Sequence, residues 1–312
     1  MTKKPATNLA LIAYHDKCLD GMTACYVTSL AMEERGQCYS CVPMSYDDES
    51  YANLARAVSS GRYNVVYIVD FSVPLEVLKV LVGYGVTVTV IDHHKTAFEN
   101  YAIHINEPGE PEVIDSSLTN VQLVLDNNRS GAGLCWHYFF PEVKVPWIVK
   151  YVQDRDLWKF RYRDTKAIAA FLGEATKDLL TWGRLHILLD EPSKKAVCIN
   201  DGYSLLQKWN EEVNAIAADA KPVGINGIGG YVVRCHGKYA SDVGNVLAQR
   251  GGTFGLTFDV SSDYNAIKYS LRSVGDLDVS AVAKKLGGGG HKNAAGFESD
   301  YLPYQLFAAI EE

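Results

Sequence analysis

The stretch VTVTVIDHHKTAF, residues 86–98, is apolar and β-branched at first, then stops on an acid and two imidazoles, Asp92, His93 and His94. Alternating Val and Thr followed by Ile read as a strand. A strand without a polar face is buried on both sides, as in a parallel sheet. In open α/β sheets, ligands bind at the carboxyl ends of such strands. Adjacent histidines in a loop are commonly solvated, so the reading depends on whether other strands end in the same way.

They do. NLALIAYH (8–15) is an apolar run followed by DGMTACYVTSLAMEERG (20–36), which has helical spacing and closes on Gly36. YNVVYIVDF (63–71) is a second buried strand, ahead of the helix VPLEVLKVLVGYG (73–85), in which Pro74 suits a first turn. VQLVLD (121–126) is a fourth strand and leads through NNRSGAG into the helix AGLCWHYFF (132–140). Strands alternating with helices imply parallel βαβ units with right-handed crossovers.

The strand ends carry related chemistry. The first ends at His15 to Asp20, the second at Asp70, the third at Asp92, His93 and His94, and the helix PWIVKYVQDRDLW (146–158) offers Asp154 and Asp156. Singly, Asp20 reads as a helix cap, Asp70 as a turn residue and Asp154 as a solvated helix acid. Together they bring acids and imidazoles to one sheet edge. Such a set suits Mn²⁺, Mg²⁺ or Fe²⁺ better than structural zinc. A central carboxylate can bridge two ions about 3.5–4 Å apart, a pair that activates water and stabilises charge in phosphoryl transfer.

Composition narrows the partners. The 312 residues, 47% apolar, make two domains the default. A formal charge of −7 argues against stable binding of long DNA by counterion release. With no apolar run of about 18 residues and no signal-peptide pattern in MTKKPATNLALIAYH, the expectation is a cytoplasmic protein without a membrane partner. Seven scattered cysteines do not form a disulfide framework, and the lone C-x-x-C of Cys38 and Cys41 lacks the second pair a zinc site needs.

VIDHHKTA, YHDKCLDG, YIVDF and YVQDRDLW, in their order along this chain, resemble the four motifs of the DHH phosphoesterase superfamily, which includes RecJ-type exonucleases, nanoRNases and cyclic-dinucleotide phosphodiesterases. LGGGGHKNAAGF (286–297) resembles the glycine-rich motif of the DHH-associated domain. The resemblance implies an α/β fold: a parallel-sheet catalytic domain over residues 1–192, a helical linker over 193–220, and a smaller α/β domain over 221–312 that closes over a cleft.

It also implies residue roles. Asp70 would bridge two ions, Asp20 and His93 would bind one of them with Asp154 taken ahead of Asp156, and Asp92 would orient His93. His94 would face the substrate phosphate. In the first motif Cys18 stands where the family has an Asp, which leaves three readings: a site built from His15 and Cys18, one shifted onto Asp16, or a weakened one. Independently of the family, consecutive glycines at Gly288, Gly289 and Gly290 let backbone N–H groups approach phosphate, with His291 as donor. Arg272, read with Ser273 as exposed at a strand end, suits a bidentate phosphate contact.

The expected function is therefore Mn²⁺-dependent hydrolysis, with one or two ions and Mg²⁺ as the alternative, of phosphodiester bonds in short oligonucleotides or dinucleotides; a homodimer is compatible. The competing readings are a phosphoanhydride hydrolase acting on pyrophosphate or polyphosphate, and a non-catalytic nucleotide-binding module.

Overall fold

The computed structural model describes residues 9–16, 18–101, 118, 120–225, 227–260 and 266–303. Asn8 and Lys17, which belong to segments read above, lie outside the described residues. The chain divides into two compact units, Met1–Leu206 and Gln207–Glu312.

The first unit runs β1 (Leu9–His15), α1 (Leu19–Glu34), β2 (Cys38–Met44), α2 (Asp48–Ser59), β3 (Val65–Val69), α3 (Leu75–Gly83), β4 (Thr87–Asp92), α4 (Lys95–Asn100), β5 (Val121–Leu125) and α5 (Gly131–Phe139). The helices α6 (Trp147–Asp156), α7 (Thr165–Gly173), α8 (Leu179–Asp190) and α9 (Pro192–Ala218) follow, the last ending within the second unit. The five strands form one sheet in the order β2-β1-β3-β4-β5, with every pairing parallel.

Both faces are covered, which explains why these strands lack a polar side. On β1, Ala10 and Ile12 join a core with α1, α5 and α6, while Leu11 and Ala13 join a core with α2 and α3.

β2 and α2 extend the sheet beyond the strands read from the sequence. β2 is an edge strand containing Pro43 and only one buried residue, Met44, so it carries little of the apolar signal. It also accounts for the C-x-x-C. Successive side chains in a strand alternate faces, so Cys38 and Cys41 leave on opposite sides. All seven cysteines are free.

The second unit continues with β6 (Lys221–Ile225), β7 (Ile228–Arg234), α10 (Ala240–Gly251), β8 (Phe254–Val260), β9 (Ile267–Ser273), α11 (Val279–Lys285), β10 (Gly289–His291) and β11 (Ala294–Ser299). Its sheet has the order β10-β11-β9-β8-β7-β6 and is antiparallel except at β7 and β8, which α10 connects. Among the described residues, no helix is long and apolar enough to cross a membrane.

Candidate metal centre

The sheet register builds the site. Tyr14 pairs with Val69 and Val69 with Ile91, so the next residue on each strand, His15, Asp70 and Asp92, emerges at one level of one edge. Asp70 keeps its strand hydrogen bond, donating N–H to Ile91 O at 2.8 Å, and turns away with φ of 52°. An aspartate tolerates this left-handed conformation better than most residues.

Two glycines make room. A Cβ on Gly131 would stand 2.4 Å from the Asp70 Cβ, and one on Gly21 would stand 2.2 Å from the His15 carbonyl oxygen. α5 and α1 can therefore bring their first turns against the strand ends. Asp20, in the first turn of α1, accepts hydrogen bonds from the N–H groups of Gly131 (2.6 Å) and Ala132 (3.2 Å), which ties the two helix starts together.

Three carboxylates converge on His93 Nε2: Asp70 Oδ1 at 3.2 Å, Asp156 Oδ2 at 3.6 Å and Asp20 Oδ2 at 3.8 Å. Burial alone would push the His93 imidazole down, but Asp70, Asp156 and Asp20 outweigh it and hold it well above its ordinary value. For Asp70, burial is likewise outweighed, by His15, His93 and His94, which keep its carboxylate well below the usual range. Burial raises Asp20, with Asp70 and Asp156 adding to it. Burial also raises Asp156, as does Asp70, although its side chain stays a quarter exposed. The site thus collects negative charge around one point, with the His93 imidazole set among the three carboxylates.

The donors fit divalent ions. His15, Cys18 and Asp70 offer ligand atoms within 4.8 Å of one another, as do Asp20, His93 and Asp156, and as do Asp70, Asp92, His93 and His94. Asp70, 1% exposed, and His15 Nδ1 are buried yet make no hydrogen bond at Oδ1, Oδ2 or Nδ1. Such polar atoms are costly unless something else satisfies them. Of the three readings left open for the first motif, the structure groups Cys18, not Asp16, with His15 and Asp70. Cys18 is the N-cap of α1 without a side-chain capping bond, and burial, then Asp70, Asp156 and Asp20, push its thiol well up.

Two expectations require correction. Asp154 stands apart from this cluster: it accepts from Arg161 N (2.9 Å), Tyr162 N (3.1 Å) and Thr165 Oγ1 (2.5 Å), which occupies both oxygens. The acid that α6 brings to His93 is Asp156. The imidazole that Asp92 orients is that of His94, whose Nδ1 donates to Asp92 Oδ1 at 2.7 Å; towards His93 the same oxygen accepts the backbone N–H, also at 2.7 Å. For Asp92, burial would raise the carboxylate, but His94 outweighs it and the net shift is downward.

Tyr46 had no signal in the sequence. Half exposed, it stacks on Phe71 with ring centroids 4.3 Å apart, and presents edges to His15 at 5.5 Å and His94 at 6.4 Å. It leaves an aromatic surface beside the candidate ligands.

The remaining sequence candidates belong to the second unit. Arg272 donates to Ser241 Oγ (2.7 Å) and to Leu271 O (2.8 Å), and its stem lies where a Cβ on Gly244 would be. Ser273 is buried, not exposed as expected, and donates to Leu277 O. The glycine run is not an open loop. Gly289, Gly290 and His291 pair with Gly296, Ala295 and Ala294 in a hairpin, and His291 is exposed at its end. A Cβ on Gly288 would stand 2.1 Å from Gly296 O, and Gly290 has φ of 140°, so both glycines are needed to build the hairpin itself.

Residues 228–311 match the family described as the DHHA1 domain. The chain is 27% identical over 298 residues to the uncharacterized protein R106 of Acanthamoeba polyphaga mimivirus, covering 92% of this chain and 66% of that protein. It is 26% identical over 279 residues to oligoribonuclease NrnB of Bacillus subtilis (strain 168), covering 82% of this chain and 64% of that one. It therefore spans about two thirds of the length of these curated relatives. Its fold is similar to the solved DHH domain of a member of a family of ribosomal proteins, with a TM-score of 0.61 and 16% identity, covering 92% of this chain and 82% of that chain.

Proposed function

We propose, on the premise that this chain belongs to the DHH phosphoesterase superfamily and carries a DHH-associated domain, that it is a metal-dependent phosphodiesterase acting on short oligonucleotides or dinucleotides. The observation that carries this reading is the convergence of Asp20, Asp70 and Asp156 on His93, with both oxygens of Asp70 left without a hydrogen bond. The proposed ligands are His15, Cys18 and Asp70 for one ion and Asp20, Asp70, His93 and Asp156 for another. Mn²⁺ suits this mixture of carboxylate, imidazole and one thiol; Mg²⁺ would be held mainly by the carboxylate-rich group. A bound divalent ion supplies Lewis acidity at a phosphoryl oxygen and lowers the pKa of water.

The chain's own residues do the rest. Asp92 fixes the His94 ring through Nδ1, and Nε2 is the nitrogen we assign to the substrate. Burial would lower the His94 pKa, but Asp92 outweighs it and keeps the ring protonated to higher pH, as a donor to a phosphoryl oxygen needs to be. His291 and Arg272 are the proposed phosphate donors of the second unit, since the Gly288 amide already donates to the Ala283 carbonyl at 2.8 Å and Gly289 and Gly290 are paired in the hairpin. The unbridged cysteines support a cytoplasmic setting.

The test is a screen with Mn²⁺ of short 5′-phosphorylated RNA and DNA oligonucleotides, cyclic dinucleotides and pyrophosphate, run beside the Asp70→Ala variant. Turnover of short oligonucleotides that EDTA and Asp70→Ala both abolish is the expected result. Faster turnover of pyrophosphate would make the protein a phosphoanhydride hydrolase, and metal-independent binding without turnover would make it a binding module.

A further inference from the structure

A half-open pocket of about 500 Å³ lies beside the metal centre, lined by the end of α6, the segment after it and the loop before α5. Its lining includes four cations, Arg129, Lys150, Lys159 and Arg161, against two carboxylates, Asp126 and Asp154, in a chain whose formal charge is −7. Both carboxylates are already engaged. Asp126 is ion-paired with Arg129 and accepts from Asn128 N, and Asp154 accepts from two backbone N–H groups and Thr165.

The other three cations are not neutralised. Lys159 Nζ donates to the Asn128 carbonyl at 3.1 Å, and Lys150 Nζ lies 4.7 Å from the Trp147 ring centroid. Among the described residues, neither of these nor Arg161 is ion-paired. An unneutralised concave cluster of this kind attracts anions.

The backbone that presents Lys159 and Arg161 is strained. Trp158 has φ of 55° and Phe160 φ of 47°, a conformation that bulky residues rarely adopt. The Arg155 guanidinium lies 4.1 Å from the Trp158 ring centroid and 5.7 Å from that of Phe160, while Leu157, Lys159 and Arg161 line the pocket. Asp154 holds the segment in this form: its carbonyl accepts from Lys159 N and Phe160 N, and its carboxylate from Arg161 N and Tyr162 N. Such strain persists where the surrounding structure fixes it and is concentrated at binding sites.

The pocket and the metal centre share a wall. Arg129 lines the pocket, Ser130 N donates to Gln153 Oε1, another lining residue, and Gly131 N donates to Asp20. We propose that this pocket is a second anion site, which binds a phosphate of the substrate strand adjacent to the one being cleaved. Arg161 meets it as a fork and Lys150 and Lys159 as point charges. The volume exceeds what one phosphate needs and falls within the range of small-ligand pockets, about 300–1,000 Å³. The exposed Tyr162 ring borders the remaining space and can meet a sugar or base. This inference rests on the phosphodiesterase reading but is tested apart from turnover.

Equilibrium binding of a 5′-phosphorylated trinucleotide is measured in EDTA by calorimetry, over a series of salt concentrations, for the wild type and for Lys150→Ala/Arg161→Ala. Loss of both cations should weaken binding about 10- to 100-fold and reduce the salt slope by about 1. Arg161→Lys should retain more affinity than Arg161→Ala. Circular dichroism identifies any variant that fails to fold, in which case Lys159→Ala, whose side chain caps no helix, replaces it in the same titration. The inference falls if wild type and variant bind equally, if the wild type does not bind the trinucleotide, or if inorganic phosphate binds as tightly as the trinucleotide, which would make this a free-anion site. A wild type that binds in this way yet cleaves nothing with Mn²⁺ would leave the pocket standing and remove the hydrolase reading.

Discussion

Asp154 and Asp156 are two residues apart on α6, yet the structure gives them opposite duties, and exchanging each for Ala should separate stability from metal binding. Asp154, 4% exposed, accepts three hydrogen bonds with its side chain. Bonds to a charged acceptor contribute about 1.5–3 kcal/mol each. Part of that loss is recovered in Asp154→Ala, because the Arg161 and Tyr162 amides can reach water and because Trp158 and Phe160 can leave the left-handed region, each releasing about 1–3 kcal/mol. The net cost is about 2–4 kcal/mol, roughly 4–16 °C in the melting temperature of a unit this size. Asp156→Ala should melt close to the wild type but lose Mn²⁺ affinity by more than about 100-fold, because even outer partners of metal ligands are worth about 10–100-fold. Differential scanning calorimetry and Mn²⁺ titration of the two metal-free variants decide the matter. An Asp154→Ala protein with a normal melting temperature and no Mn²⁺ binding, beside an Asp156→Ala protein that binds normally, would refute the assignment.

Other expectations follow from the same geometry. Gly131→Ala forces a methyl group into Asp70 and should abolish Mn²⁺ binding, as read by titration, even though no ligand is removed. Cys18→Asp should keep or raise Mn²⁺-dependent turnover, and complete loss of activity in a folded variant would show that the thiol has its own role. His291→Ala should lower kcat/KM about 10- to 150-fold through a lost charge-assisted contact, with metal content unchanged in elemental analysis. The raised pKa of His93 gives a sign for pH dependence: its contribution to the stability of the metal-free chain is complete below about 6.5 and is lost as pH rises through the folded value. Bound Mn²⁺ should reverse the trend, with affinity rising by up to about tenfold per pH unit in that window as the competing proton leaves, visible as proton release in calorimetry across buffers.

The parallel strands and three of the four segments that meet at the candidate metal centre were legible because a buried strand and its terminal acid are local patterns. The choice between Asp154 and Asp156 was not. Residues two apart on a helix point to different faces, and which face meets Asp70 depends on how α6 packs, with Thr165 and the turn at Arg161 claiming the other acid. The role of Asp92 was misjudged for a related reason: adjacent imidazoles look equivalent along the chain, and only the turn after β4 decides that the His94 ring reaches back to it. β2 escaped notice because an edge strand needs little apolar character. The glycine run reads along the chain as backbone that lets phosphate approach, whereas its tight fit against Gly296 and Ala295 becomes apparent only when β11 is beside it.

The first turn of α5 has a consequence for how relatives of this chain are recognised. Ser130, Gly131 and Ala132 carry no charge, yet their amides meet Gln153 and Asp20, and the Gly131 Cα leaves no room for a larger residue beside Asp70. A homologue could keep every acid and histidine of the four motifs, acquire one larger side chain at this turn, and lose the centre. Scoring the charged motifs alone would therefore miss this requirement, and a glycine at the position of Gly131 is the inexpensive filter to add.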